Sequence, residues 1–446
     1  MSKDQSAEIM SRPLPNGWSW VPLGQYVENH DGRRVPISRS ERESRQGAFP
    51  YYGASGVIDT IDGFTHEGEF VLIGEDGANL LTRSKPLAFL TRGKVWVNNH
   101  AHVLRCKPGF SNAYLAYYIN SINLSAYVTG TAQPKLSQSM MNKIPIPVAP
   151  PEQQTEIVAE LEKQFSLLNE AVANLQRVKA NLKRYKASVL KAAVEGRLVE
   201  TEASIAQREG RSYETGEQLL QRILDERRSK WAGRGKYKEP SSPNANDFCV
   251  LPEGWVWASG DQLTSVITDG EHITPRRTPD GVLLLSARNV LNGRLALEDV
   301  DYVPEEEYER IARRIEIQAG DVLLSCSGTV GRSCVVPSGL RFTLVRSVAV
   351  LRPVIVLAEL MAYILQSPLG QSQINDRKTQ TAQANLFQGK IRQLVFALPP
   401  MAEQVRIVAE VDRLLSINRE VESDVDTNLQ RAQVLRQAIL INQFSV

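Results

Sequence analysis

The sequence predicts an α+β chain. Two mixed α/β globular domains are separated by two long α-helices that form an antiparallel coiled coil, and the chain carries an internal pseudo-two-fold repeat. Three observations lead there. The string Ile157-Val158-Ala159-Glu160 returns as Ile407-Val408-Ala409-Glu410, an offset of 250. The string Thr131-Ala132-Gln133 returns as Thr381-Ala382-Gln383 at the same offset. The opening Leu14-Pro15-Asn16-Gly17-Trp18 returns as Leu251-Pro252-Glu253-Gly254-Trp255 at an offset of 237. The ends of the repeat are kept while its middle grows by 13 residues (250 less 237). Such a pattern describes a constant scaffold with different contents.

The elements follow in order. A first globular domain occupies residues 1–150, and its first dozen residues are polar and frayed. Phe70-Val71-Leu72-Ile73 and Val95-Trp96-Val97 are strands, and Tyr114 to Ile119 has helical spacing. A first long helix spans 151–199, with prolines at its entry where a missing N–H costs nothing. Its apolar residues Ile157, Leu161, Phe165, Leu168, Val172, Leu175, Val178, Leu182, Tyr185 and Val189 recur every three or four positions. A connector, 200–247, holds a charged amphipathic helix (Glu214 to Trp231) and a polar linker. The second globular domain, 248–399, has strands at Val322-Leu323-Leu324 and Ser347 to Leu351, and a helix at Leu360 to Leu365. The second long helix, 400–446, carries Ile407, Val411, Leu414, Ile417, Val421, Val425, Leu429, Ala432, Leu435 and Ile439. Each series averages about 3.56 residues per step, between a supercoiled seam and a straight helix. Two such seams most simply bury each other, as a rod of roughly 50 Å.

Composition excludes several classes. Hydrophobic residues make up 42% and charged residues 23%, ordinary for a soluble globular protein. No apolar run is long enough to span a membrane, and the first ten residues have no signal-peptide core, so a cytoplasmic protein is expected. Cys106, Cys249, Cys326 and Cys334 are scattered, as reduced thiols are, and no metal framework is expected. Net charge is only +2, but its distribution is uneven. Gly77 to Pro151 contains no acid and eight basic residues; Val322 to Ala358 contains no acid and Arg332, Arg341, Arg346 and Arg352. One basic segment in each repeat is the footprint of a polyanion, which favours nucleic acid.

Catalytic motifs are absent. There is no G-x-x-x-x-G-K-[ST] phosphate loop, no G-x-G-x-x-G after a strand, and no paired-acid nuclease constellation. Asn98-Asn99-His100-Ala101-His102 places two histidines on one strand face, which suits structure or DNA contact better than a metal lacking further ligands. Gly74-Glu75-Asp76-Gly77 looks like a metal or phosphate turn, though such a string is more often a tight turn with solvated acids, or it presents acceptors to cytosine; Ser327 to Arg332 reads as a glycine turn able to cradle a phosphate. Arg288-Asn289 offers the side chains that read guanine and adenine.

The ordered, duplicated strings resemble the DNA-specificity subunit of type I restriction–modification systems. The strings are the two Leu-Pro-x-Gly-Trp openings, Val71 to Asn79 with Trp96 to His102, Gly320 to Leu324 with Ser327 to Gly331, the Thr-Ala-Gln pairs and the Pro-Pro entries. Lys183 to Leu198 matches the family's ending of the first helix, whereas the second helix departs by lacking the Gly-Arg-Leu tail. The resemblance implies a non-catalytic subunit in which each globular domain is a target-recognition domain reading one half-site. The helices fix the spacing and dock two modification (methyltransferase) subunits, with restriction subunits added in a restricting complex. S-adenosylmethionine, ATP and Mg are expected on those partners and no cofactor on this chain. Expected DNA contacts are Lys135, Gln133, Arg346, Arg332 and Gln383, then Asn98, His100, Arg288 and Asn289. Two other classes remain as alternatives: a solitary DNA methyltransferase or nuclease, and a coiled-coil protein-interaction scaffold.

Overall fold

A computed structural model describes residues 8–130, 132–231, 235–245, 248–379 and 384–445. The chain divides into two compact units: residues 1–177 with 425–446, and residues 178–424. Each unit repeats one plan.

Each unit opens on a tight turn that only glycine enters cheaply. Gly17 and Gly254 have φ near +87° and +80°, and the following Trp18 and Trp255 donate their backbone N–H back to Pro15 and Pro252. The chain then enters a short strand, Ser19–Pro22 or Val256–Ser259. Each pairs antiparallel with the strand that leaves its unit, Pro145–Val148 or Val395–Leu398. Entry and exit are thereby clamped side by side.

A four-stranded antiparallel sheet forms the centre of each unit. In unit 1 the order is Val27–Asn29, Ala101–Cys106, Phe70–Gly74, Ala88–Thr91. In unit 2 it is Thr264–Asp269, Val348–Pro353, Val322–Ser325, Ser333–Val335. The central strands read as unbroken apolar runs because both faces are covered; Phe70 to Ile73 and Val322 to Leu324 are all at most 1% exposed. One face packs under the helix Asn112–Ser121 or Ala358–Gln366, as the helical spacing predicts. The other faces a second sheet, in which Phe49–Gly53 runs parallel to Lys94–Val97, and Val282–Leu285 parallel to Phe342–Leu344. Of these second sheets Val95-Trp96-Val97 was legible in the sequence as a strand, while the other strands, mostly short, were not.

The long helices span Pro151–Val194 and Met401–Phe444. Each is bolted to its own globular unit by one buried glutamine. Gln154 donates to the Ala149 carbonyl and accepts from the Ser111 N–H. Gln404, 250 residues on, donates to the Pro399 carbonyl and accepts from the Leu357 N–H. Within unit 1, Arg436 bonds Asn169 at 2.9 Å and lies 4.5 Å over the Phe165 ring. Within unit 2, Asn418 donates to the Leu182 carbonyl at 3.1 Å. The helices pair antiparallel in both.

The expected seam is partly corrected. Val178, Tyr185, Ile417, Val421 and Leu435 are exposed. On the second helix the buried row keeps Val411 and Val425 of the expected seam but passes between them through Leu415 and Asn418. Asn418 spends its amide on a backbone carbonyl, so a polar residue fills a seam position. Counting apolar residues at helical spacing cannot separate two adjacent stripes on one helix. No helix among the described residues is long and apolar enough to cross a membrane.

Candidate nucleic-acid interface

At one end of each four-stranded sheet, four loops converge. In unit 1 they are the turn after Val27–Asn29, the turn after Phe70–Gly74, the segment leading into Ala101–Cys106, and the hairpin 129–135. The hairpin closes through reciprocal Thr129–Lys135 backbone bonds. It docks on the central turn through Leu136 N–H to the Glu75 carbonyl and Gly77 N–H to the Pro134 carbonyl. In unit 2 the same contacts recur: Leu386 N–H donates to the Cys326 carbonyl, and Ser327 bridges Asn385. The described residues flanking the two Thr-Ala-Gln strings thus make the same contacts in both units. Thr131 and the segment 380–383, with Gln383, lie outside the described residues.

The backbone is shared, but the stabilising chemistry differs. Unit 1 is built on buried ions. Asp31 accepts from His102 Nδ1 at 2.6 Å and from the Val103 N–H at 2.7 Å, while His102 Nε2 faces the Leu136 carbonyl at 2.8 Å. Glu75 pairs with Arg34 at 2.5 Å and Lys135 at 3.1 Å. Burial opposes ionisation of Asp31, yet its bonds to His102 and Val103, with Arg34 nearby, hold its carboxyl below the usual range. Burial likewise opposes Glu75, and Arg34, His102 and Lys135 outweigh it. His102 is pushed up: burial disfavours the cation, but Asp31, the Leu136 carbonyl and Glu75 prevail. Ligand atoms of Asp31, Glu75 and His102 lie within 4.8 Å of one another, as a metal site requires. Arg34 and Lys135 already supply the positive charge, so this trio is chemically a closed ion network.

Unit 2 has Asp269 where unit 1 has Asp31, and the small Ala349 where it has His102. Asp269 is held instead by Arg314 at 3.1 Å, His272 at 3.0 Å and Gln388. Without the imidazole and Arg34, a cleft of about 770 Å³ opens among these loops. Arg346 and Asn385 line it, with the exposed Ile273 and Phe387.

The sequence-predicted contacts separate by exposure. Gln133 is exposed near the hairpin tip. Arg346 is exposed at its cleft, with no ion pair among the described residues, and Arg332 is half-buried beyond the Gly331 turn. Lys135 is exposed but spends its charge on Glu75, and His100 pairs with Asp76 at 2.8 Å. Arg288 is tied to Asp301 at 3.0 Å. Two positions are withdrawn from the surface. Asn98 is 4% exposed and its Oδ1 caps the His100 N–H. Asn289 is 2% exposed and uses its whole amide, accepting from Ser286 and donating to the Ala296 and Asp299 carbonyls. Both amides shape loops and present nothing to a base. Sequence reasoning missed the Asp-Gly turns at Asp31-Gly32 and Asp269-Gly270, a repeated dipeptide that was there to be found.

The fold and these paired ends define a chain that carries one loop-bearing domain twice, and comparison with known proteins agrees. The family model for the type I restriction modification DNA specificity domain matches residues 15–178 and 306–429, together more than half the chain. The chain belongs to that family. It is 40% identical over 152 residues to the Haemophilus influenzae type I restriction enzyme specificity subunit S.HindORF215P, covering 34% of this chain and 38% of that protein. The Escherichia coli type I restriction enzyme EcoBI specificity subunit is 22% identical over 444 residues, 97% of this chain and 83% of the relative. A chain solved in a study of complex assembly and conformational transition of the type I R-M system shares the fold. It has a TM-score of 0.60 and 19% identity, covering 97% of this chain and 99% of that one.

Proposed function

We propose that this chain is the sequence-reading subunit of a DNA methyltransferase/endonuclease complex. The observation that carries this reading is the repeated loop end: one backbone plan, met twice, with different side chains on it. A scaffold that holds its frame and changes its contents suits a bipartite target, each unit reading one half-site in the major groove. Arg346 and Gln133 are the leading contacts among the predicted residues, with Arg332 behind them; Lys135 and His100 serve once their acids yield to phosphate.

The helices set the gap and seat the partners. Leu167 and Ile417, and likewise Tyr185 and Leu435, are exposed at an offset of 250. Apolar residues unburied at equivalent places offer two like seats, which suits two modification subunits. Restriction subunits complete a restricting complex. S-adenosylmethionine, ATP and Mg belong to those partners, the chain itself is non-catalytic, and the assembly works in the cytoplasm on double-stranded DNA.

The test is a matched insertion. Seven residues added to each long helix, about 10 Å of rise, should lengthen the unread centre of the methylated motif and leave both half-sites unchanged. Sequencing of methylated DNA from the assembled complex reads this directly. An unchanged centre sinks the spacer reading, and a single undivided motif sinks the two-domain reading.

A further inference from the structure

The register of the two sheets identifies a pair of equivalent positions, one of them the expected contact Arg346 and the other Asn99, which was not among the expected contacts. In unit 1, Gly74 pairs with Ala101; in unit 2, Ser325 pairs with Val348. Counting back from those partners, His100 corresponds to Ser347, Asn99 to Arg346, and Asn98 to Val345. Backbone bonds verify the match. The Glu75 N–H donates to the His100 carbonyl, and the Cys326 N–H to the Ser347 carbonyl. The Asn98 N–H donates to the Tyr52 carbonyl, and the Val345 N–H to the Leu285 carbonyl. The main chain on both sides of Asn99 and Arg346 is therefore tied to the neighbouring loops, and the Arg346 N–H itself donates to the Glu271 carbonyl.

The side chains on this fixed backbone are unspent. Asn99 and Arg346 are both exposed, and neither side chain has a hydrogen-bond or ion-pair partner among the described residues. Their surroundings behave differently. Arg277, Arg310 and Arg314 around the unit 2 cleft are paired with Asp301, Glu307 and Asp269. Asn79 and Asn120 in unit 1 give their amides to backbone groups. A fixed main chain beneath an uncommitted amide or guanidinium is what direct base readout needs, because little ordering entropy is left to lose on binding. The chemistry at the two positions is also discriminating: an asparagine amide matches adenine N6 and N7, and an arginine fork matches guanine O6 and N7.

Resting on the DNA-reading function above, we infer that Asn99 and Arg346 are equivalent specificity-determining residues, Asn99 selecting an adenine in one half-site and Arg346 a guanine in the other. Asp76 and His100 flank Asn99 as a closed pair at 2.8 Å, leaving the amide as the group that discriminates.

The experiment uses the full chain assembled with its modification subunits and a pool of randomised duplexes, with bound DNA sequenced. Wild type, Asn99→Ala, Arg346→Ala and Arg346→Lys are compared. Asn99→Ala should lose about 5- to 150-fold preference for adenine at one position of one half-site. Arg346→Ala should lose a similar preference for guanine at one position of the other. Arg346→Lys keeps the charge but not the fork, so it should hold overall affinity better than alanine while guanine preference still falls. Both sites are exposed, so thermal midpoints should stay within about a degree or two. Unchanged base preference at every position overturns the assignment, as does a loss at bases other than adenine and guanine. A uniform loss of affinity across all sequences reduces both residues to phosphate contacts and overturns it too. A wild-type complex that enriches no motif removes the DNA-reading function itself, a separate failure.

Discussion

The two loop ends share a backbone and differ in what holds it. Unit 1 is closed by buried ions: His102 is 1% exposed, Asp31 and Glu75 converge on it, and Arg34 pairs with both acids. Unit 2 replaces the imidazole with Ala349 and recruits Arg314 and Arg310 from a separate segment, on more exposed side chains. The result is a filled end in unit 1 and an open cleft in unit 2. The lesson is that the hairpin and sheet carry the geometry, and the ions are an interchangeable filling.

The largest expected difference between the two comes from removing one arginine in each. Arg34→Ala removes the guanidinium shared by Asp31 and Glu75, leaving them His102 and Lys135, and should cost about 3 kcal/mol. Arg314→Ala opens a partly exposed pair and should cost about 0–1 kcal/mol. Urea unfolding of the two variants measures this; equal losses would erase the contrast.

Next in size is a change that should affect both units alike. Gln154→Ala and Gln404→Ala each leave a buried N–H and carbonyl unpaired at a helix entry, worth about 1–3 kcal/mol. If one variant is neutral, the helix is not held in the same way in the two units.

Smallest is a pH effect centred on His102 in unit 1. His102 has both ring nitrogens facing acceptors, so its pKa is raised from the ordinary 6.5. A raised histidine lends stability that is complete below its unfolded pKa and is lost as pH rises through its folded one. Asp31 and Glu75 are lowered, so their share is present above the ordinary carboxylate range and is lost as pH falls through their folded values. The thermal midpoint of wild type should exceed that of His102→Gln most at mildly acidic pH, about 5 to 6, with the gap narrowing toward alkaline pH. A constant gap would show that the imidazole does not titrate in this role. At the His102 position unit 2 has Ala349, which does not ionise.

The charge signal in the sequence was weakened by folding in an instructive way. The acid-free segments are free of acids only along the chain. Glu75 reaches Lys135, Glu69 reaches Arg92, Glu305 pairs with Arg341 and Asp321 with Arg352. Several cations expected to meet DNA are thereby neutralised by acids distant in sequence. Arg346 stays uncommitted because nearby carboxylates are taken by Arg310 and Arg314. Asn98 and Asn289 were mistaken for surface amides for a related reason: a loop asparagine caps backbone as readily as it meets a ligand.

Much was decided by the sequence alone. The repeat, the strands Phe70–Gly74 and Val322–Ser325, the helices entering at Pro151 and near Pro400, and the family itself follow from local strings and periodicity, which depend on nearest neighbours along the chain. Tertiary structure decided which stripe of each long helix is buried, which cations are spent, and that Asn99 and Arg346 are counterparts. Those properties depend on groups brought together from distant positions, and a 13-residue difference in the middles hides their correspondence until strand register restores it.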